Sequence, residues 1–446
     1  MMPLVLVLAY WSPSATSGGH GGGPAAATTA NLAQPPAAPG SGSYSTATAI
    51  AAPQQQHRLV QPPAPGGATG LLVRVLGQAH ANAFAIEIVP THNTMGLGAR
   101  GGKVLLQGHT GVDVASALNW YLNDYANTTF DWTNYEVLLS PGEPLPLPTA
   151  ATRKRLTNYT YYLNTCTFSY SLVWADFDYW QKQIDWMAMA GVNLPLALVG
   201  QEQVMVNTFA RFNVSYDEMA KDWFSGPAFL TWFRMGNLQA WGGPLPLSWI
   251  QKQSAMQVLI LGRMRSLGIR PVLSAFAGFI PPALIAKNPG LNVSHSKPWD
   301  SFNGSYSPYV LEPTEPLFQA IGKAWIEEQA KIYGDQDHIY SADTFTEMAP
   351  RSMAPAYLAS ASLAISQSMR SADPQAVWLC QSWGVIGWSQ EAIGAYFGAV
   401  PKGNLMVLLV AGAWFSAPER DYFAGHPYIW GEPPPPPNRC TPLPLR

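Results

Sequence analysis

The chain has 446 residues, a formal net charge of −2 and only 12% charged residues, while 48% of its residues are hydrophobic and 12% are aromatic. Nucleic acids and anionic membrane surfaces are bound by clustered Lys and Arg, so this composition excludes both as main partners. The length allows a large barrel and one smaller domain, and the abundant aromatic side chains suit a neutral, ring-shaped ligand.

The N-terminal 68 residues are dominated by Ala, Gly, Pro, Ser and Thr and are expected to be disordered. Residues 1–11 are apolar enough for the core of a signal peptide, although a basic start is absent. Five Asn-x-Ser/Thr sequons add to the indication of a secreted, lysosomal or vacuolar location. The sequons are at Asn127, Asn158, Asn213, Asn292 and Asn303.

Residues 69–150 are predicted to form a small α/β domain. A helix around Leu71–Leu76 is followed by strands at Phe84–Val89 and Lys103–Gln107, a helix at Gly111–Tyr125 and a strand at Tyr135–Leu139. The proline-rich segment 141–148 is the predicted linker to the next domain.

From residue 151 to 431, apolar strands alternate with amphipathic helices, which is typical of parallel βα units. Seven strands are predicted, at Cys166–Val173, Asn193–Leu198, Pro271–Ala277, Ile339–Phe345, Ala376–Ser382, Leu405–Val410 and Pro427–Trp430. Helices are predicted at Trp249–Gly268, Glu315–Gly334 and Met353–Met369. A closed (β/α)₈ barrel needs one more strand, so the fold class is α/β with a (β/α)₈-type barrel that is incomplete at its C-terminal end. The tail at 432–446 is proline-rich and expected to be disordered.

The chemistry of the chain is expected at the C-terminal ends of these strands. Glu347 follows the strand at Ile339–Phe345 directly. Hydrolysis of a glycosidic bond needs one carboxyl group that protonates the leaving oxygen and a second that attacks the anomeric carbon or activates water. Glu202 is the other strand-end Glu, but a helix cap or an ion pair with a nearby Arg is its more common role.

The three cysteines, Cys166, Cys380 and Cys440, have no metal-site spacing, so no metal is expected.

Several long segments of the sequence resemble glycoside hydrolase family 89, the α-N-acetylglucosaminidases. They include YYLNTCTFSYSLVW at 161–174, GPAFLTW at 226–232 and DTFTEM at 343–348, and the similarity runs from about Leu71 to Trp430. The resemblance implies a retaining exo-hydrolase that removes terminal α-linked N-acetylglucosamine, in animals from heparan sulfate in the lysosome, without metal or cofactor. It implies that Glu347 is the acid/base. It also implies a sugar pocket lined by Asn164, Cys166, Trp232, Trp299 and Trp383.

Three departures from the family pattern bear on activity. Thr346 stands where family members usually have Asn, and the strand end at Leu409–Val410 lacks the usual Asp. The family's nucleophile lies beyond the Ile429–Trp430 strand, in a region without a counterpart in this sequence, and Glu432 among prolines is a poor substitute. The chain as given is therefore expected to be inactive, because acid/base and nucleophile act as a unit.

Two other interpretations remain open on the sequence. One is a catalytically dead protein that keeps a Trp-lined sugar-binding pocket. The other is a different barrel glycosidase that uses Glu202 together with Glu347.

Overall fold

A computed structural model gives the fold of residues 66–133, 135–140, 143–346, 348–410, 417 and 421–431. Several sequence expectations lie outside the described residues: the signal-like segment 1–11, the low-complexity chain up to residue 65, Glu347, Cys440, and the tail at 432–446 with Glu432.

The N-terminal part of the fold is a four-stranded sheet with two helices. Its elements are α1 (Gly66–Ala81), β1 (Phe84–Ile88), β2 (Thr94–Arg100), β3 (Lys103–Gly108), α2 (Gly111–Asp124) and β4 (Ala151–Lys154). The strand order is β1-β3-β2-β4, with β1 parallel to β3 and β2 antiparallel to both of its neighbours. Leu71 of α1, Leu106 of β3 and Leu118 of α2 are fully buried in one shared apolar cluster, which is why the helices pack on the sheet.

Two features of this part correct the sequence prediction. Tyr135–Leu139, predicted as the closing strand, lies outside the described sheets, because Tyr135 has a φ of 54° and β4 occupies the edge beside β2. The sheet therefore extends to Lys154, past the predicted boundary at residue 150. β2 was not predicted because Gly96 and Gly98 interrupt the alternation of apolar and polar residues.

A buried carboxylate fixes the start of α2. The Thr110 side chain accepts a hydrogen bond from the Asp113 backbone N–H, and Asp113 Oδ2 accepts one from the Thr110 backbone N–H at 3.0 Å. Asp113 also accepts a hydrogen bond from Arg155 at 3.0 Å, and both side chains are less than 10% exposed. Arg155 donates in addition to the Gly191 carbonyl oxygen, so this cap also ties the small sheet to the next part of the chain.

Ten further strands follow in the part of the chain that the structure describes, and seven of them are parallel and pair in chain order. The strands are β5 (Tyr161–Tyr162), β6 (Leu194–Pro195), β7 (Leu273–Ser274), β8 (Phe279–Ile280), β9 (Val293–His295), β10 (Tyr309–Leu311), β11 (Ile339–Ser341), β12 (Val377–Gln381), β13 (Leu405–Leu409) and β14 (Tyr428–Trp430). The parallel set is β5, β6, β7, β11, β12, β13 and β14, while β8, β10 and β9 form a small antiparallel sheet.

The parallel set is continuous from β5 to β14. β5 pairs with β6, a bridge between Leu196 and Val272 leads to β7, and β7-β11-β12-β13-β14 form one sheet. Since every pairing is parallel, the C-terminal ends of these strands lie on the same edge. β13 is buried along its whole length, as expected for a parallel strand covered on both faces.

Helices connect these strands in the alternation that the sequence predicts. They are α3 (Thr167–Tyr170), α4 (Phe177–Met189), α5 (Gln201–Ala210), α6 (Tyr216–Asp222), α7 (Leu230–Arg234), α8 (Leu247–Ser266), α9 (Pro282–Lys287), α10 (Pro316–Tyr333), α11 (Pro355–Arg370), α12 (Gln390–Gly398) and α13 (Asp421–Gly425). In α10, Phe318, Ile321 and Trp325 recur on one buried face, and Gly334 with a φ of 85° ends the helix.

The first strand of the parallel set is not where the sequence predicts it. The segment Cys166–Val173, predicted as a strand, begins with α3, while the strand is β5, five residues before it. Local hydrogen bonds decide this: Thr167 Oγ1 donates to the Asn164 carbonyl oxygen at 2.6 Å, and the Tyr170 backbone N–H donates to the Cys166 carbonyl oxygen at 3.0 Å.

An ion cluster joins the N-terminal helix to the parallel set. Asp185 of α4 accepts hydrogen bonds from Arg74 of α1 at 2.7 and 2.8 Å and from Arg263 of α8 at 2.6 Å. The Asp185 side chain is 3% exposed, so the three helices are held by a contact largely shielded from water. None of the described helices has the length and apolar character needed to cross a membrane.

Replacing Asp113 tests whether the buried cap holds the two parts of the fold together. We expect Asp113→Asn to lower the free energy of unfolding by about 3 kcal/mol, because it leaves Arg155 buried without a carboxylate. The matched control is Asp124→Asn, on the same helix as Asp113. It breaks an exposed ion pair between Asp124 and Arg153 of β4 and should cost less than about 1 kcal/mol. Urea denaturation measures both, and equal losses would show that the cap has no special role.

Candidate active site

A cavity lies at the edge of the sheet where the parallel strands end. Its wall includes Thr165 after β5, Gln201 after β6, Ser274 of β7, Arg234 of α7 and Asp343 after β11. A second, smaller cavity lies beside it, between the segment after β11 and the segment after β12. This is the edge on which a barrel enzyme of parallel strands places its reactive groups.

Asp343 is fixed at the junction of the two cavities, two residues past the end of β11. Its Oδ1 accepts a hydrogen bond from the Gln381 backbone N–H at 2.9 Å, and its Oδ2 accepts one from Gln381 Nε2 at 2.7 Å. The Ser341 hydroxyl donates to the same carboxylate at 3.4 Å. Burial raises the pKa of Asp343, and the Gln381 hydrogen bonds oppose the rise.

The segment that leads to Glu347 is held by hydrogen bonds. Thr346 is buried, and its hydroxyl donates to the Asp343 carbonyl oxygen at 2.8 Å. The Trp378 indole N–H of β12 donates to the Ala342 carbonyl oxygen at 2.7 Å. The Thr346 hydroxyl is thus committed to the backbone of its own turn. Glu347 itself lies outside the described residues.

Glu202 forms an ion pair with a nearby Arg, which is one of the two roles that the sequence favours for it. Both of its carboxylate oxygens accept hydrogen bonds from Arg234, at 2.8 and 2.9 Å. The Glu202 side chain is fully buried and that of Arg234 is 6% exposed, so the two form a bidentate ion pair inside the protein. A carboxylate held on both oxygens and shielded from the cavity is poorly suited to attack a sugar.

Asn164 and Cys166 lie together in the turn after β5. Asn164 Oδ1 accepts a hydrogen bond from the Cys166 backbone N–H at 2.7 Å, which shapes the turn that starts α3. Both side chains are half-buried. Their neighbour Thr165 lines the main cavity, so the turn borders the site.

Two of the three predicted tryptophans are brought together. The rings of Trp232 and Trp299 lie 6.3 Å apart between centroids, inclined at 38°, and both are half-buried. Tyr170 of α3 meets Trp232 edge-on at 5.3 Å. Trp383 is half-buried in the 3₁₀ turn after β12, and no ring contact is found for it within the described part of the chain.

Sequence reasoning missed several polar residues of this site. Asp343 is the main one. It lies in the DTFTEM segment and, like Glu347, close to the C-terminal end of a predicted strand, so the criterion of a carboxylate at a strand end applies to it as well. Tyr161 of β5 was quoted only as part of a motif. Burial raises the pKa of Tyr161 first, and the nearby charge of Asp343 raises it further.

The Glu202–Arg234 pair makes a testable prediction about stability. We expect Glu202→Leu to lower the free energy of unfolding by about 3–5 kcal/mol, because it leaves a buried guanidinium without a partner. The double change Glu202→Leu with Arg234→Met should recover most of that loss, since neither charge remains. Chemical denaturation measures both variants. A single variant as stable as the unaltered chain would mean that the pair is not buried as described.

Comparison with known proteins agrees with this architecture. The model of the "Alpha-N-acetylglucosaminidase (NAGLU) tim-barrel domain" matches residues 160–433, and that of the N-terminal domain of the same family matches residues 66–148. The chain is 41% identical to human alpha-N-acetylglucosaminidase over 374 residues, which are 81% of this chain and 50% of the human protein. It therefore spans about half the length of the curated relative that it matches.

Solved structures give the same result. Family 89 glycoside hydrolase from Clostridium perfringens, in complex with 2-acetamido-1,2-dideoxynojirimycin, is 30% identical, with a TM-score of 0.73 over 82% of this chain and 41% of that one. A doubly Glu-to-Gln-substituted form, in complex with its substrate GlcNAc-α-1,4-galactose, is 29% identical, with a TM-score of 0.74 and similar coverage. With its small N-terminal sheet and its α/β barrel, the chain belongs to the α-N-acetylglucosaminidase family of glycoside hydrolases.

Proposed function

We propose that the chain binds a terminal α-linked N-acetylglucosamine residue at the C-terminal edge of its parallel strands. The observation that carries the proposal is a cavity at that edge lined by the hydrogen-bonded carboxylate of Asp343 and by Phe233 and Arg234 of α7, the helix that also carries Trp232 of the Trp232–Trp299 ring pair. Trp rings pack against the apolar faces of sugars, and fixed polar groups orient the hydroxyls. Membership of the family supports the choice of sugar.

The reaction proposed for this site, once a second carboxylate is present, is retaining exo-hydrolysis. Glu347 protonates the leaving glycosidic oxygen while a second carboxylate forms a bond to the anomeric carbon. Water then breaks that bond, with Glu347 taking its proton. Asn164, Cys166, Trp232, Trp299 and Trp383 are proposed to line the sugar pocket. No metal or cofactor is needed for these steps.

We propose further that the second carboxylate is not Glu202 and that the chain as given binds sugar with little or no turnover. Glu202 is held on both oxygens by Arg234 and is fully buried. None of the described residues matches the nucleophile that the family resemblance implies. The seven described parallel strands are one short of a closed (β/α)₈ barrel, so the barrel is proposed to be incomplete. The alternative is that sugar binding in the same pocket is itself the function of the protein, with no part in hydrolysis.

The natural glycan and the location are also proposals. A heparan-sulfate-like chain is the substrate that the resemblance implies in animals, while the Clostridium perfringens relative has GlcNAc-α-1,4-galactose as its substrate. A lysosomal, vacuolar or secreted location is supported by four exposed sequons, at Asn127, Asn158, Asn213 and Asn303. The chain is proposed to divide into the N-terminal unit and the barrel, with the boundary moved to follow β4.

Binding of 2-acetamido-1,2-dideoxynojirimycin, measured by calorimetry, tests the proposed pocket. We expect Trp299→Ala to weaken binding roughly tenfold, because a stacking surface beside the sugar is lost. Trp132→Ala is the matched control, since Trp132 is half exposed and lies in the segment between α2 and β4. Failure of the unaltered chain to bind would contradict the proposed function.

Release of a chromophore from an α-linked N-acetylglucosaminide tests the proposed lack of turnover. We expect the unaltered chain to release no more than Glu347→Gln does, because the acid/base works only together with a nucleophile. Clear release that disappears in Glu347→Gln would reject the proposed inactivity and would at the same time support the role of Glu347.

A further inference from the structure

Among the described residues, Asp343 alone lines both cavities at the strand ends. We propose that Asp343, which is half-buried, is the fixed anion of the sugar site and that it favours ligands carrying positive charge at the sugar ring. The inference rests on the proposed function, and it assigns to Asp343 an electrostatic positioning role rather than an attack on the substrate.

Asp343 is held differently from the carboxylates that form ion pairs with Arg, and Glu312, which also accepts hydrogen bonds from neutral donors, lines neither cavity. Asp185, Glu202 and Asp337 each form an ion pair with at least one Arg. No Lys, Arg or His of the described chain forms such a pair with Asp343, whose oxygens instead accept hydrogen bonds from Gln381 and Ser341. Neutral donors can hold an anion in place without cancelling its charge.

The charge of Asp343 reaches groups on several elements around the cavities. Burial, and after it the charge of Asp343, raises the pKa of Tyr161 on β5 and of Cys380 on β12. The pKa of Tyr396 on α12 is also raised, first by burial and then by the charges of Cys380 and Asp343. Because Asp343 lines both cavities, a ligand bound there lies close enough for the charge of Asp343 to act on it.

Glycoside cleavage through a retaining mechanism passes through a state with oxocarbenium character, in which positive charge develops on the anomeric carbon and ring oxygen. A preorganised anion near the ring stabilises that charge without having to move. The Gln381 hydrogen bonds hold both oxygens of Asp343, so it acts by its field and leaves bond formation to other groups.

The test compares the affinities of two ligands of similar shape, one cationic and one neutral. Protonated 2-acetamido-1,2-dideoxynojirimycin carries positive charge in the ring, whereas N-acetylglucosamine is neutral. For Asp343→Asn we expect the iminosugar affinity to fall at least about tenfold and the N-acetylglucosamine affinity to change less than about threefold. Asp335→Asn is the matched control, because Asp335 is exposed near the other end of β11, and it should leave both affinities unchanged.

A second variant separates charge from folding. Asp343→Asn combined with Gln381→Glu moves the carboxylate to the neighbouring strand end and keeps an amide facing it, so it should restore the preference for the iminosugar. The melting temperature of each variant shows whether it is folded. In the unaltered chain the preference should also fade on acidification, at a higher pH than for an ordinary Asp, because burial raises the pKa of Asp343 and protonation removes the charge.

The outcomes distinguish this inference from the proposed function. If the unaltered chain binds neither ligand, both fail. If it binds both and Asp343→Asn weakens both to the same extent, or if the double variant is folded but shows no preference, Asp343 has no charge-specific role while the proposed binding function stands.

Discussion

The parallel pairing of seven strands in chain order is the constraint on which the site depends. Parallel strands in sequence require a crossover after each one, so every strand points the same way and its C-terminal end reaches the same edge. This is how Thr165, Ser274 and Asp343, which are far apart in the chain, come to border one cavity. The loops at that edge can vary because the helices and the buried strands hold the scaffold.

Carboxylates in the described part of the fold are held in two different ways. Asp113, Asp185, Glu202 and Asp337 pair with Arg residues and connect elements that are distant in sequence, including the N-terminal helix and the parallel set. Their charges are neutralised locally, so they contribute to structure. The carboxylate of Asp343 is held by neutral donors at the cavity and keeps its field, which is the property expected of a group that acts on a ligand.

The sequence predicts most of the long elements because their signals are local. The face of α10 repeats Phe318, Ile321 and Trp325 and stops at Gly334, and β13 is an uninterrupted apolar run. The first strand was misplaced because β5 has only two residues, whereas the following segment is rich in residues that favour strands and is turned into a helix by side-chain hydrogen bonds. The partner of Asp343 is 38 residues away across a strand pair, and Arg234 is 32 residues from Glu202. Such contacts become visible only when the strands are placed side by side, so the site was predicted as a region rather than as a set of interacting groups.

A crystal structure of this chain with 2-acetamido-1,2-dideoxynojirimycin bound would locate the proposed sugar site directly. We expect the iminosugar at the C-terminal edge of the parallel strands, beside the Trp232–Trp299 pair and with its ring nitrogen turned toward Asp343. A ligand found at the N-terminal edge, or on a surface away from the cavity, would contradict the proposed site.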